Sequence, residues 1–251
     1  MSIYLFAGYL SSIFTLSLSI IFLTPTMNAL IGDSRVRALK ANFLGSKICD
    51  NWVKPGGCML SMEELVKDEI IMHHGEDNFG EKIHMYISAG ICDLTQRLKG
   101  TKYDEVIFDI SNSEETMSKF LDSLSTIKSI VLKEGAIPIF LTIYPMSLSD
   151  WNQSRLNMNK TSYLCYATDY NIMQSMLEET VEIVNREIVN INVQSGVITP
   201  LIHKHIIHNR GKGKISFKYN LLSDGCHPNH TLQARIASTI GQAICKNRDI
   251  K

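Results

Sequence analysis

Residues Ala136–Ile143 read Ala-Ile-Pro-Ile-Phe-Leu-Thr-Ile, a near-continuous apolar run opened by Gly135. A segment without a regular polar alternate has no face to give to water. It therefore predicts a strand buried on both sides, as in a parallel sheet with helices over each face. The rest of such a sheet is available nearby. Met27–Gly32 reads as a short buried strand and Lys47–Val53 as a second, ended by Pro55-Gly56-Gly57. Ile83–Ala89 makes a third, ended by Gly90, and Tyr103–Ile110 is a further extended apolar stretch.

Helical repeats separate these strands. Val36, Leu39 and Phe43 are spaced for a helix over Arg35–Phe43, and Ser61 with Glu64 forms a Ser-x-x-Glu capping box that opens another. Ser113 caps a helix whose Phe120, Leu124, Ile127 and Val131 recur at helical intervals until Gly135. Met173, Met176, Leu177, Val181, Val184, Ile188 and Ile191 trace one face of a long helix, and Leu232–Cys245 is amphipathic. Tyr219–Pro228 is irregular, and Ser147–Ser162 reads as a long polar surface loop near the functional edge. Strands alternating with helices predict an α/β fold, a three-layer α/β/α sandwich on a mostly parallel, flavodoxin-like sheet. Sites in such sheets form at the carboxyl ends of the strands.

A chain of 251 residues can bury one sizeable core, which places one domain at 27–251 behind an apolar segment at 1–26. Ile3–Leu23 is almost wholly apolar or Ser/Thr, and at about 1.5 Å per residue it is long enough to cross a bilayer core of about 30 Å. Membrane anchor and secretory signal both remain open. The first residues lack positive charge, and no small-x-small cleavage site precedes Asn28. Sequons at Asn152, Asn159 and Asn229 fit a lumenal route.

Lys+Arg and Asp+Glu both count 25, so no net charge draws the chain to nucleic acid. The one basic patch, Arg210–Lys214, matches no phosphate-cradling motif and reads as a solvated loop. The six cysteines, Cys49, Cys58, Cys92, Cys165, Cys226 and Cys245, form no C-x-x-C pair and no dense disulfide framework. His203, His205 and His208, with His73 and His74, lack the cysteine or carboxylate spacing that completes a zinc set, and they read as a solvent-facing cluster. The sequence calls for no metal and no cofactor.

Two motifs carry chemistry. Gly32-Asp33-Ser34 sets a serine where a strand gives way to a helix, so that its own backbone N–H faces an oxyanion formed at the reacting centre. Alone it is as consistent with a helix N-cap. Asp224-Gly225-Cys226-His227 puts a carboxylate three residues before a histidine, close enough to hold Nδ1–H while Nε2 faces outward as a base.

Together these residues resemble the SGNH (GDSL-type) hydrolases, whose blocks run in the order Gly-Asp-Ser, a glycine, Gly-x-Asn-Asp and Asp-x-x-His. Gly32-Asp33-Ser34 matches the first, Pro55-Gly56-Gly57 stands where the glycine belongs, Gly90-Ile91-Cys92-Asp93 matches the third and Asp224-x-x-His227 the last. The resemblance spans about residues 27–245. It implies that Ser34 attacks an ester or acyl carbonyl, that His227 takes its proton and that Asp224 orients the histidine. The backbone N–H groups of Ser34 and Gly56, or Gly57 as the alternative, would hold the oxyanion. The substrates implied are small-molecule, glycan or lipid esters. Cys92 departs from the pattern, because the family carries there an asparagine whose amide donates to the oxyanion, and a thiol donates weakly. That leaves two expectations, a hydrolase with an altered oxyanion hole or a weakened SGNH-like binding or accessory domain. The run from Asn185 through Thr199 to the Leu222–His227 segment is also similar, more loosely, to SGNH-like domains of animal mobile genetic elements.

Overall fold

The computed structural model describes residues 26–36, 39, 50–53, 57–75, 82–97, 106–107, 113–158, 170–209 and 215–248. Four strands form one sheet in the order β2-β1-β3-β6: β1 (Thr26–Gly32), β2 (Asp50–Val53), β3 (Lys82–Ser88) and β6 (Ile137–Phe140). All three pairings are parallel, with Leu30 opposite Tyr86 and Ile87 opposite Phe140. The carboxyl ends of all four strands thus lie at one edge of the sheet. A separate antiparallel ribbon pairs β4 (Gln96–Arg97) with β5 (Val106–Ile107), the described part of the expected Tyr103–Ile110 stretch. A second ribbon pairs β7 (Ile207–Asn209) with β8 (Ile215–Phe217). The basic run Arg210–Lys214 lies between β7 and β8, outside the described residues.

The side chains of each central strand alternate between two cores, as the two-residue period of a strand requires. Ile31, Ile83, Met85, Ile87 and Phe140 pack beneath α1 (Met62–Gly75), α3 (Ser113–Lys133) and α5 (Tyr170–Gln194). Leu30, Tyr86 and Ile139 face the other way, onto Ile202, Ile206 and α6 (His230–Asn247). The three-layer α/β/α sandwich expected from the alternation is the fold observed. Phe120, Leu124, Ile127 and Val131 are the buried positions of α3. Of the expected α5 face, Met173, Leu177, Val181, Val184 and Ile188 are buried, with Met176 and Ile191 packed partly against the core. Most of the expected Arg35–Phe43 helix lies outside the described residues.

The strand expected over Ala136–Ile143 keeps its burial but ends early, at Phe140. β6 is an edge strand, which is where Pro138 is tolerated. Among the described residues no further strand pairs with its outer edge, which takes side-chain partners. Asn192 accepts from the Phe140 N–H at 3.1 Å and donates to its carbonyl at 2.7 Å, and Asn185 makes the same pair with Ile143, both at 2.7 Å. Asn192 of α5 therefore pairs with the edge of β6 as a strand would, and Asn185, seven residues earlier, does the same for Ile143 beyond the strand's end. Asn247 repeats the device on Ile198, at 2.8 and 3.2 Å.

Three expectations are corrected. Ser147–Ser162 is not an irregular loop throughout, since Leu148–Asn157 forms a helix, α4. Ser147 accepts from the Asp150 N–H through Oγ at 3.3 Å and donates to the Asp150 carboxylate at 2.7 Å, so Ser-x-x-Asp starts the helix as a capping pair. Asn152 is fully buried within α4, so that sequon offers no accessible acceptor in the folded chain. Asn159 lies outside the described residues. Nor is the histidine cluster solvent-facing as a whole: His203 is buried, and burial together with the nearby Lys204 and His205 pulls its pKa down to about 4. His205 shares a hydrogen bond with Thr239 at 2.6 Å, and His208 is exposed. Among the described residues no helix is long and apolar enough to cross a membrane. Residues 3–23 lie outside them.

Candidate active site

β1 ends on Gly32, and the chain turns at once through Asp33, Ser34 and Arg35. The turn is pressed against β3: the Asp33 N–H donates to the Ser88 carbonyl at 3.1 Å, and a Cβ on residue 32 would lie 2.4 Å from that same oxygen. Only glycine lets the Ser34 turn sit this close to the neighbouring strand. Asp33 is buried and accepts from the Arg35 N–H at 2.9 Å. Burial raises its carboxyl above the ordinary value although the Arg35 charge pulls it down. Arg35 is buried beside it, donating to the Tyr144 carbonyl at 2.7 Å with its guanidinium 4.3 Å from the Tyr144 ring centroid. Burial works against this charge, but its neighbours, the Asp33 carboxylate among them, hold the guanidinium above its ordinary value.

The second motif sits on a closed loop before α6. Leu222 and Pro228 form an antiparallel bridge, and the Ser223 N–H donates to the His227 carbonyl at 2.8 Å, so residues 223–227 are pinned at both ends. Asn229 then caps α6 by accepting from the Leu232 N–H at 3.0 Å. Inside the loop, Asp224 Oδ1 accepts from the Cys226 and His227 amides at 3.0 and 2.7 Å, and Oδ2 lies 2.7 Å from His227 Nδ1. Burial alone would raise the Asp224 carboxyl, but the His227 ring and these two amides outweigh it and hold it below the ordinary value. An ionised Asp224 fixes the proton on Nδ1 and leaves Nε2 as the acceptor. That Nε2 lies 2.8 Å from Ser34 Oγ. The three residues thus form one unbroken line of hydrogen bonds from Ser34 to Asp224, along which a hydroxyl proton can pass to the ring. His227 keeps 31% of its side-chain surface exposed, so the line opens to solvent and to a ligand.

The third block also arrives at this edge. Beyond β3, Gly90 opens a short helical turn, α2 (Ile91–Leu94), and Asp93 reaches across to accept from the Met59 N–H with both carboxylate oxygens, at 3.0 and 2.8 Å. That bond ties the segment after the Gly56-Gly57 pair to the third block. Gly57 is buried at the start of this segment, and Gly56 lies outside the described residues. Burial lifts the Asp93 carboxyl to about 7. Cys92 is half-buried, and burial, with the Asp33 charge, pushes its thiol up to about 12. Asp33, Arg35, Cys226 and Cys58 are the charged or titratable groups that act on it.

Sequence reasoning missed Trp151. Its ring centroid lies 5.6 Å from that of His227 at a tilt of 57°, so α4 forms one wall of the site. The signal was the Ser147-x-x-Asp150 pair, which marks a helix start in what otherwise reads as polar loop. Among the described residues no three metal-ligating side chains come together.

Several solved structures share this architecture. A GDSL-like lipase from Bacteroides thetaiotaomicron aligns over 88% of both chains at 12% identity and a TM-score of 0.58. The chain has the SGNH hydrolase fold. A variant of an acetyl-xylooligosaccharide esterase from Geobacillus Stearmophilus aligns over 87% of this chain and 94% of its own at 12% identity and a TM-score of 0.51. The OSK domain of Drosophila Oskar aligns over 88% and 94% at 11% identity and a TM-score of 0.51. No protein-family model matches the chain, and no curated protein matches its sequence. At these identities the SGNH likeness is one of fold, and function must be argued from the site.

Proposed function

We propose that this SGNH-fold chain is a serine ester or acyl hydrolase, with Ser34 as nucleophile, His227 as general base and acid, and Asp224 as the group that orients the histidine. The observation that carries the reading is the pair of contacts made by one imidazole, Nε2 to Ser34 Oγ at 2.8 Å and Nδ1 to Asp224 at 2.7 Å. Ser34 Oγ adds to the ester carbonyl as its proton moves to His227 Nε2. The tetrahedral oxyanion is held by the backbone N–H of Ser34 and that of Gly56 or Gly57. His227 returns the proton to the departing alkoxide, the C–O bond breaks, and an acyl-Ser34 ester remains. Water, deprotonated by His227, then releases the acid and regenerates Ser34. Cys92 stands where an amide donor would add to the oxyanion hole. The loss of one such donor costs about 2.7–4 kcal/mol, a factor of about 10²–10³ in rate. Small-molecule, glycan or lipid esters are the substrate class, and residues 3–23 would bring the domain to a membrane.

A second reading, a weakened SGNH-like binding or accessory domain derived from a mobile genetic element, is favoured by Cys92 alone: with its thiol at about 12 it is neutral at physiological pH and a weak donor. Labelling with a fluorophosphonate separates the two. Covalent labelling of the wild type that is lost in Ser34→Ala supports the hydrolase. An unlabelled, well-folded wild type that also leaves p-nitrophenyl acetate intact supports the accessory domain.

A further inference from the structure

Ser34 and His227 lie 193 residues apart in the chain, so their 2.8 Å contact depends on whatever ties their two turns together. One tie runs through Tyr144–Ser147, a buried stretch beyond the end of β6. At one end, Arg35, the residue after Ser34, donates from Nη1 to the Tyr144 carbonyl at 2.7 Å and stacks its guanidinium 4.3 Å from the Tyr144 ring centroid. At the other end, the Ser147 N–H donates to the Gly225 carbonyl at 2.7 Å, inside the Asp224–His227 turn. Arg35 also closes its own turn, through the bond from its N–H to the Asp33 carboxylate at 2.9 Å. Exchanging a buried charge pair for apolar residues is often neutral or stabilising, so stability alone does not account for a cation here. A planar, stacked donor does give what a register needs, a fixed distance and a fixed direction at once.

We propose that Arg35 is a positioning residue that holds Ser34 in register with His227 by gripping Tyr144, whose strap through Ser147 carries the histidine turn. This rests on the hydrolase reading above. The experiment measures, on the full chain, the second-order rate of inactivation by a fluorophosphonate together with kcat and KM for p-nitrophenyl acetate. Wild type is compared with Arg35→Lys and with the double variant Asp33→Asn/Arg35→Met, which leaves no buried charge unpaired. In variants that keep a cooperative melt, kcat and the inactivation rate are expected to fall about 10- to 10²-fold, the cost of a small misplacement of reacting groups, while KM stays within about twofold. Arg35→Lys keeps the charge without the planar stack and is expected to lose less than the double variant. Wild-type rates in the folded variants, or a rise in KM with kcat unchanged, overturn the positioning role while labelling of the wild type at Ser34 keeps the hydrolase reading. Loss of cooperative folding in the double variant also overturns it, because the pair would then be holding the fold and not the register. A wild type that the probe does not label overturns the hydrolase reading and this proposal with it.

Discussion

Gly225 meets Trp151 backbone to backbone: a Cβ on residue 225 would lie 2.4 Å from the Trp151 amide nitrogen, and Gly225 has a φ of +83°. Both the left-handed conformation and the lack of space demand glycine, in the middle of the Asp224–His227 turn. Gly225→Ala is therefore expected to destabilise the fold by about 2 kcal/mol or more, from strain and overpacking together. It is also expected to push α4 away from His227 and to slow fluorophosphonate labelling. Urea unfolding and labelling rates check the two effects, and a variant with wild-type values in both would show that the turn yields freely.

The asparagines of α5 that pair with Phe140 and Ile143 test the packing at and beyond the end of β6. Asn192→Leu leaves the Phe140 N–H and carbonyl without the partners they have at 3.1 and 2.7 Å. Each buried group left unsatisfied costs about 1–3 kcal/mol, so the expected loss for the two is about 2–6 kcal/mol. The urea midpoint should fall at unchanged m-value. Asn185→Leu should behave alike through Ile143, and because Ile143 directly precedes Tyr144, it should also lower the rate of labelling at Ser34.

Apolar runs and repeats made the sheet and its covering helices legible, because burial on two faces leaves a periodic trace in sequence. Ser34, Asp224 and His227 could be named from short motifs, since each motif is local and its order along the chain is fixed. What joins the motifs was not legible. The contact of Ser34 with His227 runs through Arg35, Tyr144, Ser147 and Gly225, which share no local pattern and meet only after the sheet has assembled. The asparagines of α5 were hidden for the same reason: on a helical face they read as polar interruptions until β6 lies beside them. Trp151 escaped because a helix with a low apolar content resembles loop, and only its capping pair betrayed it. The burial of His203 followed from packing against Thr142 and the second core, which a cluster of three histidines within six residues does not foretell.

Asp93 gives the stability a pH dependence whose sign follows from its raised carboxyl. Its pKa rises from the ordinary 3.8 to about 7 on burial. Between those values the native state keeps a proton that the unfolded chain has released, so this group's contribution to stability falls as pH rises from about 4 to about 7 and is constant above that. Asp93→Asn keeps an acceptor for the Met59 N–H without a charge to desolvate. The difference in stability between the variant and the wild type is expected to grow in the variant's favour across that window, as read from urea unfolding at pH 5 and pH 8. A difference independent of pH would place the Asp93 titration outside the window.

On the proposed hydrolase reading, Cys92 sets how far the oxyanion hole departs from an amide-lined one. Its thiol is half-buried, and at about 12 its pKa keeps it neutral at physiological pH. A neutral thiol offers one weak donor, whereas an asparagine amide offers a strong one at a modest cost in volume. Cys92→Asn is therefore expected to raise hydrolysis of p-nitrophenyl acetate, by up to about 10²-fold where the amide reaches the developing oxyanion. The gain should appear in kcat more than in KM, because the charge it meets exists only in the transition state. It should vanish in a Ser34→Ala background, since an oxyanion donor has nothing to stabilise without the nucleophile. An unchanged rate in a folded Cys92→Asn protein would remove residue 92 from the oxyanion hole, and a lower one would mean that the thiol itself assists the reaction.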